Sequence, residues 1–180
     1  LKKTKFLIDI GNNHPDDTIR KFYFLKKYKI KNINPGCSGG VEGARGNASL
    51  MLSCKKSELK NLNFIFSEIS GKNKKLLKLV GKKPHAGNYV KIIHNSIEYS
   101  ILQSIADYYF ILKKFKKYSD KKILSEIKYI ERKFNNFYLL NIFKKIILKK
   151  INLNKIMDIV DDTNTGAWAS QLCIKYKFPT

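Results

Sequence analysis

The chain has 180 residues, which suits one domain or parts of two. Its apolar share of 43% can build a core and excludes wholesale disorder. The formal net charge of +22 points towards acidic partners, yet the three arginines, at 20, 45 and 132, leave 33 of the 36 basic residues to lysine. Arginine does most of the bidentate reading of phosphates and base edges, so this balance fits compositional drift better than an evolved nucleic-acid surface. The lysines recur in pairs along the whole chain, as at Lys26-Lys27, Lys55-Lys56 and Lys113-Lys114, and read as solvated helix faces. Nonspecific binding to polyanions at low salt is the consequence; no specific nucleic-acid partner is expected. Cysteines 37, 54 and 173 are widely spaced and odd in number, which argues for a reduced compartment and against a disulfide framework or a metal site. No apolar run approaches the roughly 18 residues a membrane span needs. No membrane partner and a cytoplasmic location are the expectations.

In chain order, Lys5 to Ile10 is a short apolar run ending at Gly11-Asn12-Asn13, a strand and then a turn. Asp16 or Asp17 is placed to cap a helix reaching about Tyr28. Ile30 to Asn34 reads as a second strand feeding a glycine loop, Pro35 to Arg45. Ala48 to Cys54 reads as a third strand, Ser57 to Ile69 as a helix and Leu76 to Val80 as a fourth strand. Strands alternating with helices imply a mainly parallel α/β sheet. After His85-Ala86-Gly87 the pattern turns helical: a long helix from about Asn88 to Lys114, one capped by Ser119 to about Lys133, one from Phe137 to Lys149, and a short one at Asn154 to Val160. The expected division is therefore an α/β part, 1–86, and an all-α part, 87–180.

Tyr89 to Gln103 carries two periodic stripes. Val90, Ile93, Ile97 and Ile101 recur at three- and four-residue steps and line one helix face. Lys91, His94, Asn95 and Glu98 line an adjacent one. A cation, an imidazole, an amide and a carboxylate along one stripe suit a site that moves protons on a polar substrate, with Lys91 as base when unprotonated and Glu98 as acid when protonated. A solvated helix face with the same spacing stays open as an alternative. Upstream, Ser38-Gly39-Gly40 sets two residues without side chains beside a hydroxyl, so backbone N–H groups can approach a carboxylate or sugar hydroxyl; a plain tight turn is the other reading.

Taken together these segments resemble the 6-phosphogluconate dehydrogenase family. The family's V-S-G-G-x-E-G-A-R loop stands here as Cys37 to Arg45, its S-L-M as Ser49-Leu50-Met51, and its V-K-x-x-H-N-x-I-E-Y helix as Val90 to Tyr99. Asp9 to Arg20 looks like the family's D-x-G-N-S-x-x-x-D-T-x-R, and Thr165-Gly166-Ala167-Trp168 lies near its G-T-G-K-W. The resemblance implies the C-terminal half of a Rossmann-like nucleotide-binding domain, followed by the start of a helical domain with a long connecting helix. It implies oxidative decarboxylation of 6-phosphogluconate to ribulose 5-phosphate with reduction of NADP. By the same resemblance Lys91 is the general base and Glu98 the acid. Ser38, Gly39, Gly40, His94, Asn95 and Tyr99 are the substrate-binding positions, and Asn12 lies near the nicotinamide; no metal is implied. A homodimer is the family's state.

The departures are specific. Thr163 stands where a phosphate-binding lysine is expected, beside Asp161 and Asp162. The family's P-G-G after S-L-M becomes Leu52-Ser53-Cys54, and its G-A-G-H becomes His85-Ala86-Gly87-Asn88, which suggests relaxed backbone demands. The chain opens on Leu1, and no G-x-G-x-x-G phosphate cradle appears in it. The expectation is a partial chain with negligible activity in isolation. A decayed, non-catalytic remnant of the enzyme, or less so a basic polyanion-binding protein, is the alternative.

Overall fold

β1 (Phe6–Ile8) and β2 (Lys31–Ile33) pair in parallel, with Phe6 opposite Lys31 and Ile8 opposite Ile33. The crossover between them is α1 (Pro15–Lys26). Its first turn holds Pro15, whose missing N–H costs nothing there, and Asp16 and Asp17, whose charges suit the positive end of the helix. The expected aspartate cap is corrected: His14 is the cap, its Nδ1 accepting from Asp16 N at 3.2 Å. The computed structural model that gives this architecture describes residues 4–73, 75–134, 137–159 and 163–178.

The second sheet runs in the order β3 (Gly36–Ser38), β4 (Ser49–Ser53), β5 (Leu77–Gly81). β4 and β5 are parallel, joined by α3 (Lys56–Ile69). β3 and β4 are antiparallel, the one departure among the described strand pairs from the mainly parallel arrangement expected. The glycine-rich stretch is the reason. It folds partly as β3 and partly as the short helix α2 (Gly40–Ala44), and positive φ at Gly39 (142°) and Gly40 (54°) turns the chain back on itself. Phe66 of α3 packs with Ile33, Leu50, Leu52 and Leu62 into one core. β4 is buried on both faces from Leu50 to Ser53, as a strand flanked on two sides must be.

α4 (Ala86–Phe110) follows β5 and continues into a π-helical turn, Ile111–Phe115. Its apolar stripe is the outward one: Val90, Ile93 and Ile97 are exposed, whereas Ile92 and Asn95 are buried. α5 (Asp120–Lys133) starts at the expected cap, Ser119, whose Oγ accepts from Lys122 N at 3.3 Å. α6 (Tyr138–Leu148) completes a helical core of Leu112, Ile123, Ile127 and Ile147. The short helix expected over Asn154 to Val160 is a single 3-10 turn, Leu153–Lys155, and residue 160 lies outside the described residues. α7 (Thr165–Tyr176) was not expected; its cap, Asn164, is a favoured cap residue, but it is left-handed with φ 63° and makes no side-chain cap hydrogen bond.

The chain divides into two compact units, Leu1–Ser96 with Asp162–Thr180, and Ile97–Asp161. Among the described residues no helix is long and apolar enough to cross a membrane.

Candidate active site

The site in the first unit starts at the end of β1. Gly11 N donates to Asp9 Oδ1 at 3.0 Å and Asn13 Nδ2 donates to Gly11 O at 3.0 Å, a tight turn that presents Asn12. Burial alone would raise the Asp9 carboxyl. Hydrogen bonds from Lys21, Gly11 N and Asn13, with the Lys21 charge, outweigh it and hold the group below its ordinary value.

A buried amide ties this turn to two helices. Asn34, directly after β2, is 1% exposed. Its Oδ1 accepts from Thr18 Oγ1 of α1 at 3.0 Å and from Asn88 Nδ2 of α4 at 2.5 Å, and its Nδ2 donates to Asp9 O at 2.6 Å. Buried polar groups persist where their partners are satisfied together, and this cluster fixes three segments relative to one another.

Glycines set how closely α4 lies on the sheet. A Cβ on Gly87 would stand 2.8 Å from Gly36 N and press on Met51 O; a Cβ on Gly36 would stand 2.8 Å from Lys91 Cβ. The expected relaxation of backbone demands therefore does not extend to Gly87. Ser53, at a position where the family has glycine, is put to use: its Oγ accepts from Gly87 N, one of the N–H groups a helix start leaves unpaired.

These contacts bring Asn12 and Lys91 onto the wall of one cavity of about 10 Å³, lined also by Gly36, Asn88, Thr165 and Trp168. That volume admits about one water molecule. Asn88 Oδ1 is buried there and has no hydrogen-bond partner. Two turns on from Asn88, Asn95 Nδ2 donates to Thr165 Oγ1 at 2.8 Å, and Thr165 is 1% exposed. His94 Nδ1 lies 3.1 Å from Asn95 Oδ1, which makes Nδ1 the donor and leaves Nε2 an acceptor in the neutral ring. Thr163 Oγ1 is 3.3 Å from Thr165 Oγ1; Asp161 and Asp162 lie outside the described residues.

The remaining expected residues are placed differently. Ser38 closes β3, and Ser38, Gly39 and Gly40 are not among the walls of this cavity. A Cβ on Gly39 would meet Gly43 Cα at 2.7 Å, so that glycine serves the turn into α2, whereas Gly40 has open space around it. Glu98 and Tyr99 lie farther along α4, in the second unit, Glu98 half-buried and Tyr99 exposed. Burial pushes the Cys37 thiol up, and the Lys91 charge pulls the other way, so Cys37 is a packing residue beside the lysine. Burial and the Lys83 charge lower His85, against a smaller opposing pull from Asp16. Burial and a hydrogen bond with Tyr176 push Tyr89 up to about 12. Sequence reasoning did not find Thr18, Asn34 and Asn88. The one signal for them was a run of small polar residues where strand and helix termini meet.

Residues 1–81 match the NAD binding domain of 6-phosphogluconate dehydrogenase, and residues 87–180 match that enzyme's C-terminal domain. The decarboxylating 6-phosphogluconate dehydrogenase of Buchnera aphidicola subsp. Acyrthosiphon pisum is 34% identical, over 99% of this chain and 40% of its own length. The Saccharomyces cerevisiae enzyme, decarboxylating 1, is 36% identical over 94% of this chain and 36% of its own. Among solved structures, Plasmodium falciparum 6-phosphogluconate dehydrogenase superposes with a TM-score of 0.85 at 28% identity, covering 98% of this chain and 40% of that one. The 3-hydroxyisobutyrate dehydrogenase of Salmonella typhimurium, at 14% identity and a TM-score of 0.74, shares the fold over 97% of this chain and 59% of its own. The chain spans about two-fifths of the length of the curated relatives it matches. On its sequence, on its fold and on the order of its motifs, the chain belongs to the 6-phosphogluconate dehydrogenase family.

Proposed function

We propose that this chain carries the substrate-handling centre of an NADP-linked 6-phosphogluconate dehydrogenase, converting 6-phosphogluconate to ribulose 5-phosphate and carbon dioxide. The observation that carries the reading is the seating of Lys91: it is packed against Gly36 and shares a cavity wall with Asn12, at the position of the family motif. Two expected divisions go with the proposal: residues 1–86 as the nucleotide-binding part and 87–180 as the helical part.

Lys91, unprotonated, takes the proton of the C3 hydroxyl. With that proton gone and the C3 hydride passed to the NADP that the site would hold, C3 is a ketone β to the carboxylate, so the C1–C2 bond breaks to release carbon dioxide once protonated Lys91 donates a hydrogen bond to the ketone oxygen. Glu98, protonated, returns a proton to C1 of the resulting enediol. Ser38, Gly39 and Gly40 hold the carboxylate end, His94 and Asn95 orient the hydroxyls, and Tyr99 contacts the phosphate. Asn95 is held for that role by Thr165. NADP, when bound, supplies the hydride acceptor. The unpaired buried Oδ1 of Asn88, beside Asn12, fits the polar nicotinamide end, which Asn12 would hold. The setting that goes with this reading is a cytoplasmic homodimer.

A second reading, a non-catalytic remnant of that enzyme, is favoured by one observation: Thr163, at the expected phosphate-binding lysine, pairs with the Thr165 hydroxyl and offers no cation. Equilibrium binding of 6-phosphogluconate at moderate salt separates the two. Saturable binding that Lys91→Ala and Tyr99→Ala each weaken supports the substrate centre. Binding unchanged by those variants and abolished by salt leaves the remnant. The isolated 180 residues are expected to reduce NADP negligibly with 6-phosphogluconate, and a measurable rate would overturn that expectation.

A further inference from the structure

A second cavity in the first unit, of about 390 Å³, shares no residue with the one beside Lys91. It lies between α1, β2 and the N-terminal end of α3. Five lysines line it, Lys26, Lys29, Lys31, Lys55 and Lys82, against one carboxylate, Glu58. That carboxylate is already engaged: it accepts from Lys55 N at 2.9 Å and pairs with Lys31 Nζ at 3.3 Å. Among the described residues, Lys26, Lys29, Lys55 and Lys82 have no acidic partner in an ion pair. Four ammonium groups around one concavity repel one another unless an anion sits among them.

The lysines alone would describe a basic surface; Asn32 makes it a site. Asn32 stands in the middle of β2, is 6% exposed and lines the cavity, and neither its Nδ2 nor its Oδ1 has a partner. Burying an amide unpaired is costly, and a ligand with adjacent donor and acceptor would remove that cost. Phe22, Ile30 and Pro84 give the same cavity apolar walls. A ligand that satisfies all three features has a phosphate for the lysines, a flat apolar body for the walls, and a donor–acceptor edge for the amide. We propose that this cavity binds a nucleoside phosphate, with Asn32 reading the base edge and the lysines holding the phosphates. Asparagine pairs with such edges through both amide atoms at once.

The test is calorimetric titration of the 180-residue chain with ADP and, separately, with inorganic pyrophosphate, at about 0.15 M salt so that loose ion collection is screened. One-site binding of ADP, tighter than that of pyrophosphate, is expected. The exposed pair Lys55→Ala/Lys82→Ala is expected to weaken both ligands about tenfold, the loss of one charge-assisted contact or more. Asn32→Leu is expected to weaken ADP by about tenfold and to leave pyrophosphate within about twofold, because pyrophosphate has no base edge to read. Lys145→Ala/Lys149→Ala, lysines of the other unit, and Lys91→Ala are expected to change neither. ADP binding no tighter than pyrophosphate, or weakened equally by the Lys145/Lys149 pair, would overturn the proposal. Should Asn32→Leu fail to fold, ADP binding left intact by Lys55→Ala/Lys82→Ala would overturn it equally.

Discussion

The two units are built from different materials. Among the described residues, every buried polar side chain falls in the first unit: Thr18, Asn32, Asn34, Ser53, Ser70, Asn88, Asn95 and Thr165. The second is sealed by Leu112, Ile123, Ile127 and Ile147, with Tyr109 and Phe143 edge-on at 5.6 Å beside them. Its cavity, of about 280 Å³, is lined chiefly by Leu102, Ile105, Ile142, Phe143 and Ile146. An apolar core needs volume and little else, whereas a hydrogen-bonded core fixes directions as well as distances. In the first unit that framework sets Lys91 and Asn12 on the wall of one cavity. The second has to hold its helices together.

The largest effects expected come from emptying the core of each unit, first of all at the one fully buried aromatic among the described residues, in the first unit. Phe66 is fully buried, so Phe66→Ala should cost about 3–5 kcal/mol in urea unfolding. Trp168 is the sole tryptophan and belongs to the first unit, so its fluorescence should report that loss fully. Ile127→Ala, in the second unit, should cost about 2–5 kcal/mol and show in far-ultraviolet circular dichroism, with less change in the fluorescence transition. Identical shifts in both signals for both variants would mean one cooperative unit and would break the comparison.

A sharper division comes from placing leucine at one core position of each unit. Ile127→Leu keeps an apolar core apolar and should cost less than about 1.5 kcal/mol. Asn34→Leu strands the Thr18 hydroxyl, the Asn88 amide and the Asp9 carbonyl together, and should cost about 3 kcal/mol. Equal costs for the two exchanges would show that the polar cluster specifies nothing that apolar packing could not. Next in size, Gly87→Ala forces a methyl group against Met51 O and Gly36 N, and should cost about 1–3 kcal/mol while displacing Lys91. On the proposed function, 6-phosphogluconate binding by Gly87→Ala should therefore weaken even where the variant remains fully folded.

The comparison also explains what was legible in the sequence. In the second unit α5 and α6 are readable, lying near their expected bounds with Ser119 capping α5, whereas the helix expected over Asn154 to Val160 is a single 3-10 turn. The strands of the first unit fall near their expected places as well. Its site does not. On α4 the strongest apolar stripe, Val90, Ile93 and Ile97, is exposed, and the weaker polar one turns inward towards Asn34 and Thr165. Periodicity marks that a helix has two faces, but partners distant in the chain decide which is buried. The antiparallel turn of β3 onto β4 depends on positive φ at Gly39 and Gly40, which a composition of glycines permits without dictating. Ser53 read as a lost glycine, and its hydroxyl turned out to cap α4.

The smallest effect probes the rim of the polar core. Asp9 is depressed in the folded state, since its bonds to Lys21, Gly11 N and Asn13 outweigh burial. A depressed carboxyl binds its proton less readily folded than unfolded. Its stabilisation is therefore complete above the ordinary value of 3.8 and drains away as pH falls through the lower folded value. Asp9→Asn removes the charge but keeps a side chain of the same shape. The difference in unfolding free energy between the parent and Asp9→Asn should be constant above about pH 5 and shrink as the pH drops below about 4. The side chain is partly exposed, so salt should reduce the plateau as well. A difference that grows on acidification would mean that burial, not the Lys21 pair, governs this carboxylate. The turn presenting Asn12 would then be held by its backbone hydrogen bonds alone.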